Sequence, residues 1–346
     1  MGRNKGNFDA VKENALEVYR CPITGERLHL DAAEKHGDEV VRGVLLARDQ
    51  RYVVEGDMPV FLRTEQLTGT AHFARNYYAS IAETYDDYVH VTFDLYNESE
   101  REVRLGLIEL LNLNRRSKVL EISAGTGKDS ELILDNLDAD GELWLLDLSS
   151  DMLAHAKEKI ARYPARTEAA VGDACHLPYA DNYFDALYCF AGIGHFTDQR
   201  MALKEMARVV HPGGKVVFAE KNVPPWLRDT EYGKILINNN PMFADENPLA
   251  LLPVEARNAG IRWILGNVHY VVDYTVGEGE PTGNFDLVLP GHRGGSFNTR
   301  YFGKLEGVSA EAKALYEKAA RKREMSLYQW LDSTVREKAL KDLSED

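Results

Sequence analysis

Cysteine is scarce in this chain of 346 residues: Cys21, Cys175 and Cys189 form an odd, widely spaced set of three. That is too few for a disulfide framework and suits a reducing compartment. Positive charge is also in short supply. Lysine and arginine total 41 against 55 aspartates and glutamates, a net charge of −14. Nucleic-acid binding draws most of its affinity from clustered cations, so this balance disfavours a nucleic-acid partner. No apolar run approaches the roughly 20 residues that cross a bilayer, and the opening MGRNKGNFDA has no hydrophobic signal region. The expectation is a cytoplasmic protein without a membrane span. Internal repeats and low-complexity tracts are absent as well.

What the chain has is length enough for one large domain with a smaller appendage. After Arg115 its texture alternates: KVLEI, a helix from about Lys128, ELWLLDL, a helix from Ser150, EAAV, FDALYCF, a helix from Asp198, and KVVFAE. Strands alternating with helices predict an α/β fold, a Rossmann-like doubly wound, mostly parallel sheet with helices on both faces. Ser149 is placed to cap the helix SDMLAHAKEKI, and HPGG at 211–214 ends one helix and starts the next strand.

The flanks read differently. Residues 1 to about 16 look helical; Val18 to Leu62 is β-rich, with turns at Pro22 to Gly25, Asp49-Gln50 and Glu55-Gly56-Asp57. From Ala71 to Leu113 the pattern is helical and aromatic, with Phe73, Tyr77, Tyr78, Tyr85, Tyr88, Phe93 and Tyr96. After Glu220 comes a Pro- and Asn-rich insertion, then the β-like run IRWILGNVHYVVDYTV. A charged amphipathic helix follows from about Ser309 to Lys341, its Leu327, Trp330, Leu331 and Val335 spaced to dock on their own core. The expected organisation is a small β-rich domain over 1–66, a helical lid over 67–116, a core over 117–300 with an insertion at 223–253, and a helical segment over 301–346.

The stretch VLEISAGTGK, Val119 to Lys128, is a short apolar run, an acidic residue and a glycine-rich turn leading into a helix. Small residues at Ser123, Ala124, Gly125 and Gly127 let the backbone turn sharply and bring a ligand close to main-chain atoms. A triphosphate loop is excluded because no Gly-Lys-Ser/Thr follows. A dinucleotide fingerprint is only approximated, since Ser130 stands at the third glycine position. Glu121, before the turn, suits a positively charged amino-acid moiety better than a pyrophosphate, which points to S-adenosylmethionine. Asp147 follows Glu121 by 26 residues, and Asp173 follows Asp147 by another 26. A carboxylate at Asp147 can accept both ribose hydroxyls, and Asp173 can accept from an adenine amino group. Acidic residues after strands also cap helices; three at one spacing favour a site.

Residues 117–222 resemble the core of a class I S-adenosylmethionine-dependent methyltransferase. GIGHFTDQRMALKEMARVVHPGGKVVFAEKNVPP is similar to the ubiquinone/menaquinone C-methyltransferase branch, and IAETYDDY at 81–88 resembles the segment that precedes the core there. The resemblance implies that Glu121, Ser123, Ala124, Gly125 and Gly127 contact the methionine part and Asp147 the ribose. It also implies that Asp173 and Ala174 contact the adenine, with Leu148, Phe190 and Tyr85 completing the cofactor set. Ser123 departs from the branch, standing where its first glycine usually is. The segment Val18 to Leu62, through CPITGERL and YVVEGDMPVFL, resembles a zinc-ribbon-like domain fused to some methyltransferases. With only Cys21 beside His29 and His36, however, the ligand count for tetrahedral zinc is not met and no metal is expected.

Methyl transfer from a sulfonium to a small-molecule acceptor is then the expected reaction. His195, in the loop after FDALYCFAGIG, falls where an acceptor lies and is a candidate base or orienting group; the alternative is a loop histidine bonded to backbone. Tyr77, Tyr78, Tyr85, Tyr88 and Trp226, with the insertion from Pro224 to Pro253, are candidates for a lid or for core packing. A methyltransferase acting on tRNA or protein, and a non-catalytic S-adenosylmethionine-binding protein, remain alternative readings. The acceptor atom and oligomeric state are left open.

Overall fold

The computed structural model describes residues 11–36, 39–55, 58–62, 67, 69–290, 294–301 and 308–344. Of the helix expected over residues 1–16, the first ten residues lie outside this set, and Gly56 and Asp57 of the third expected turn lie outside it too. Val11–Lys12 is a strand, β1, and Glu13–Glu17 a single 3-10 turn. The chain divides into two compact units, residues 1–280 and 281–346. No helix among the described residues is long and apolar enough to cross a membrane.

The first unit is built on a seven-stranded sheet. Its strands are β6 (Lys118–Ile122), β7 (Glu142–Asp147), β8 (Arg166–Val171), β9 (Phe184–Phe190), β10 (Val210–Lys221), β11 (Ala256–Ile264) and β12 (His269–Val276), in the order β11-β12-β10-β9-β6-β7-β8. Neighbours from β8 through β10 pair in parallel, while β12 runs antiparallel to both β10 and β11. The mostly parallel, doubly wound sheet expected from the alternation is the one that forms. After β6 the chain adds β7 and β8 on one side and then returns to add β9 and β10 on the other. The order thus reverses at β6, and a crevice opens beyond the carboxyl ends of β6 and β9.

Strand side chains alternate between the faces. Leu120, Ile122, Trp144, Leu187 and Phe218 pack into one core; Val119, Leu143, Leu145, Tyr188 and Val217 pack into the other. Each such side chain contributes about 1.5–3 kcal/mol when fully buried. Four helices precede the sheet: α1 (Gly69–Ile81), α2 (Tyr85–Tyr88), α3 (Val91–Asp94) and α4 (Glu100–Glu109). Helix α4, with α5 (Lys128–Leu134) and α6 (Ser150–Ile160), covers the Val119 face through Leu107, Ile133 and Leu153. Helix α7 (Gln199–Val209) covers the Leu120 face through Leu203 and Met206. The caps are where the residue types place them: Ser149 Oγ accepts from the Met152 amide at 3.3 Å and Asp198 Oδ1 from the Met201 amide at 3.0 Å.

The β-rich segment folds as β2 (His29–His36), β3 (Glu39–Ala47), β4 (Gln50–Glu55) and β5 (Met58–Pro59), all antiparallel, with β1 paired to β3. It shares the core of the large sheet. Tyr19 packs its ring 5.3 Å from Trp144 and 5.2 Å from Phe61, and the Phe61 amide donates to the Val171 carbonyl at 2.8 Å, continuing the sheet past β8. Cys21 is buried with its Sγ 3.3 Å from Tyr52 Oη, and Cys175 and Cys189 are buried as well. Among the described residues no group of three His, Cys, Asp or Glu side chains could hold a metal ion.

Helix α8 (Glu231–Asn239) lies in the insertion, where Leu236 packs with Val223, Phe243 and Val268. The second unit carries α9 (Phe297–Tyr301), α10 (Ala310–Lys322) and α11 (Leu327–Leu343). One helix was expected over 309–341, and two form. Glu324 takes φ +53° between them, and Ser326 and Gln329 bond reciprocally to start α11. Trp330 then stacks on Tyr316, with ring centroids 6.3 Å apart.

Candidate active site

The glycine turn after β6 is left-handed at three points: Ser123 at φ +57°, Gly125 at +55° and Gly127 at +79°. Gly127 is required twice over, because a Cβ there would also lie 3.0 Å from both Cα and Cβ of Ala156 on α6. Ser123 has no such licence, and a non-glycine residue in this region costs roughly 1–2 kcal/mol. Its side chain fits because Gly192, in the loop after β9, makes room: a Cβ on Gly192 would fall 2.2 Å from Ser123 Oγ. Gly192→Ala is therefore expected to lower the thermal midpoint by several degrees, and Ser123→Gly in the same chain to recover most of the loss. Calorimetry on the two single variants and the double variant checks the coupling; additive effects would contradict it.

Beyond the turn lies a cavity of about 490 Å³, lined by Ser123, Ala124 and Gly125, by Asp147 and Leu148 at the end of β7, and by Phe190, Tyr85 and His195. Asp147 is fastened at both oxygens: the Gly125 amide donates to Oδ2 and the Ser149 amide to Oδ1, each at 2.9 Å. Burial raises its pKa, and these amides oppose the rise. Asp173 and Ala174 line a narrower crevice that shares Ser123, Asp147, Leu148 and His195 with the cavity. Burial works to raise the Asp173 carboxyl as well, but His176 and the Cys175 amide, which donates to Oδ1 at 2.9 Å, hold it below its ordinary range.

Two of the expected contacts are placed elsewhere. Glu121 does not line the cavity; it sits one residue from Leu120 and Ile122 on β6, so alternation turns it to the opposite face, beneath α4 and α5. There its Oε2 accepts from Ser130 Oγ at 2.5 Å, and burial, with the charge of Asp129 adding, pushes its pKa well up. Gly127 is likewise outside the cavity wall and starts α5. No residue between Pro224 and Pro253 lines the cavity, and Trp226 packs 5.1 Å from Trp263 of β11. Tyr77, Tyr78, Tyr85 and Tyr88 do line it.

Several lining residues had no local sequence signal. Arg104 on α4 is 5% exposed, with Nε donating to Glu100 at 2.9 Å and Nη1 to Asp129 Oδ2 at 2.5 Å. Its guanidinium lies 5.2 Å from the Phe93 ring centre and 5.0 Å from that of Phe190. The helical segment before the core is pinned to the turn by Asp86, which accepts from Thr126 Oγ1 and from Lys159 Nζ, both at 2.6 Å. Arg75 of α1 also lines the cavity, its Nε enclosed without a hydrogen-bond partner.

Aromatic side chains and two imidazoles also line the cavity. His195 lies edge-on to Tyr78 with ring centroids 5.9 Å apart, and its Nδ1 has no hydrogen-bond partner. Burial lowers its pKa, Glu220 opposing and Lys221 adding. The Tyr78 and Tyr85 hydroxyls are each pushed up to about 12, chiefly by burial. Lys221 and His269 line the cavity too, with Lys221 Nζ 3.0 Å from Glu220 Oε1. Burial, then the charge of Lys221, brings His269 down to about 4.

Residues 119–214 match the family model described as a methyltransferase domain. This segment is a class I S-adenosylmethionine-dependent methyltransferase domain. The ubiquinone/menaquinone biosynthesis C-methyltransferase UbiE of Cupriavidus pinatubonensis is 34% identical over 142 residues, 41% of this chain and 57% of that protein. Demethylmenaquinone methyltransferase of Bacillus licheniformis is 33% identical over 140 residues, 40% of this chain and 60% of that protein. The chain thus spans little more than half the length of these curated relatives. Among solved structures, phosphoethanolamine N-methyltransferase 2 of Haemonchus contortus, in complex with S-adenosyl-L-methionine, gives a TM-score of 0.46 at 14% identity, over 63% of this chain and 61% of that one. The methyltransferase domain therefore holds β6 through β9, the glycine turn, Asp147, Asp173 and His195.

Proposed function

We propose that this chain methylates a small hydroxylated aromatic acceptor, with S-adenosylmethionine as methyl donor. One observation carries the proposal: a single cavity is lined by the glycine turn and Asp147 together with Tyr77, Tyr78, Tyr85, Tyr88 and His195. The relatives named above are enzymes of quinone biosynthesis by name, and the acceptor class is taken from them. A tyrosine-lined cavity in a chain of net charge −14 favours a small molecule over tRNA.

The residues present fit the donor. Asp147 uses one lone pair on each oxygen for the amides of Gly125 and Ser149, which leaves two more to accept ribose hydroxyls. Ser123, Ala124 and Gly125 would offer main chain and small side chains to the methionine part, Leu148, Asp173 and Ala174 would hold the adenine, and Phe190 and Tyr85 would wall the centre. Glu121 acts through the turn, holding Ser130 below it. Bound S-adenosylmethionine supplies an electrophilic methyl group. The protein's share is alignment and exclusion of water, and orientation of this kind is worth on the order of 7–11 kcal/mol. Tyr78 and Tyr85 keep their protons and line the cavity, while His195, neutral at pH 7, takes the proton that the acceptor hydroxyl releases.

The test is His195→Ala with labelled S-adenosylmethionine and 1,4-dihydroxynaphthalene under argon. We expect kcat to fall by about 10²–10⁴-fold. Because burial lowers the pKa of His195 from 6.5, the base form persists as the pH drops, so the wild-type rate should decline only below pH 6.5. The variant should lack that acid limb. An unchanged kcat from pH 5 to 9 at saturating acceptor would remove His195 from the chemistry.

A further inference from the structure

Four cations line the cavity, Arg75, Arg104, Lys128 and Lys221, against two carboxylates, Asp129 and Asp147, although the whole chain carries a net charge of −14. Three of the four are already paired: Arg104 with Glu100 and Asp129, Lys128 with Glu100, and Lys221 with Glu220. Arg75, half-buried on α1, has no carboxylate partner among the described residues. Its Nε is enclosed without a hydrogen bond, whereas its two terminal nitrogens, which bond to no described residue either, are not enclosed. A guanidinium drawn part-way out of water without a counter-ion is destabilising, and an anion entering the cavity relieves it.

The helix that carries Arg75 is tied to the acceptor side of the site. Ala71 and Ala74 are its buried residues, Thr70 Oγ1 donates to the His195 carbonyl at 3.4 Å, and Tyr78 meets the His195 ring edge-on. Arg75 precedes Tyr78 by three residues, a spacing that puts both on one face of a helix. The methionine part of the donor is assigned to the glycine turn after β6, whereas α1 is bonded to the loop that holds the acceptor's base. A guanidinium presents its N–H donors as a rigid planar fork that matches the two oxygens of a carboxylate, a match that an uncharged amide or hydroxyl does not offer.

Resting on the methyl-transfer reading, we propose that Arg75 binds a carboxylate on the acceptor, so that the chain prefers hydroxylated aromatic acids to their uncharged analogues. Arg75 is then an acceptor-binding residue. The carboxylate takes no part in the transfer and leaves unchanged with the methylated product. A site built to bond a polar group rejects the analogue that lacks it, here because the guanidinium is left unpaired, whereas an apolar wall discriminates weakly.

The test is equilibrium binding of 2,5-dihydroxybenzoate and 2,5-dihydroxybenzamide, an uncharged ring of the same shape, under argon, to the full chain saturated with S-adenosylhomocysteine. We expect the wild-type protein to prefer the benzoate by at least tenfold and Arg75→Gln to bind both within about twofold. Arg75→Lys, which keeps the charge without the fork, should retain part of the preference. Both variants should bind S-adenosylhomocysteine as the wild type does, which separates a carboxylate on the acceptor from the one on the cofactor. In turnover, Arg75→Gln should raise KM for the benzoate more than it lowers kcat. A preference that survives in Arg75→Gln overturns the assignment, and so does a variant that loses S-adenosylhomocysteine while the preference stays. Equal binding of both rings by the wild type, or binding of neither, also overturns it while leaving the methyl-transfer reading intact, since labelled transfer to 1,4-dihydroxynaphthalene needs no carboxylate.

Discussion

Arg104→Met should destabilise the first unit by about 3–5 kcal/mol, the range for removing one partner of a buried ion pair. The size follows from what is left behind. Asp129, its side chain 9% exposed, would lose the charge that holds its Oδ2, and its Oδ1 already has no hydrogen-bond partner. Glu100 would keep Lys128 Nζ at 3.2 Å, so the burden falls on Asp129. Phe93 and Phe190 would lose the cation between their rings but keep an apolar neighbour of similar length. Arg104→Lys should fall between, since an ammonium restores charge without the fork that reaches both carboxylates. Adding Asp129→Asn to Arg104→Met should recover a large part of the loss, because the orphaned charge is gone. Urea unfolding of the three variants measures it. A loss under about 1 kcal/mol, the level of a surface pair, would show that the network is solvated.

Asp147→Ala is expected to weaken S-adenosylhomocysteine binding by 100-fold or more. Two hydrogen bonds to a carboxylate are worth about 1.5–3 kcal/mol each, and about 1.4 kcal/mol is a tenfold change in Kd. The substitution also frees the Gly125 and Ser149 amides that hold the turn to the end of β7. Asp147→Asn separates the two effects. Its carbonyl can still accept one amide, so the fold should lose little while the ribose loses its anionic partner. Titration calorimetry on Asp147→Asn should show at least a tenfold weaker Kd with a thermal midpoint close to the wild type. If the midpoint falls steeply and the affinity of the folded fraction does not change, Asp147 is a tie for the turn and the ribose is held elsewhere.

The sheet was legible because its signals are local. Short apolar runs, Ser149 and Asp198 as caps, and HPGG before β10 each declare themselves within a few residues. Asp147, Ser123 and Gly125 carry a signal of the same local kind, lying at strand ends beside the crevice of a doubly wound sheet. Glu121 was misplaced because its neighbourhood in sequence was read without the strand alternation that turns it under the sheet face. Arg104, Asp86 and His269 are legible only in three dimensions. Arg104 meets Asp129 across 25 residues and Asp86 meets Lys159 across 73. His269 is brought to Lys221 by an antiparallel pairing that the β-like run alone does not specify. The break between α10 and α11 had a local sign after all, the capping pair Ser326 and Gln329. An unbroken run of charged and apolar residues concealed it.

The most direct test of the central claim is methyl transfer itself. Purified full chain is incubated under argon with S-adenosylmethionine labelled at its methyl group and 1,4-dihydroxynaphthalene, and the ring product is analysed by mass spectrometry. A singly methylated ring carrying the label, formed by the wild type and lost in His195→Ala, is the predicted result. A chain that binds S-adenosylmethionine but leaves both that ring and 1-naphthol unlabelled would contradict it.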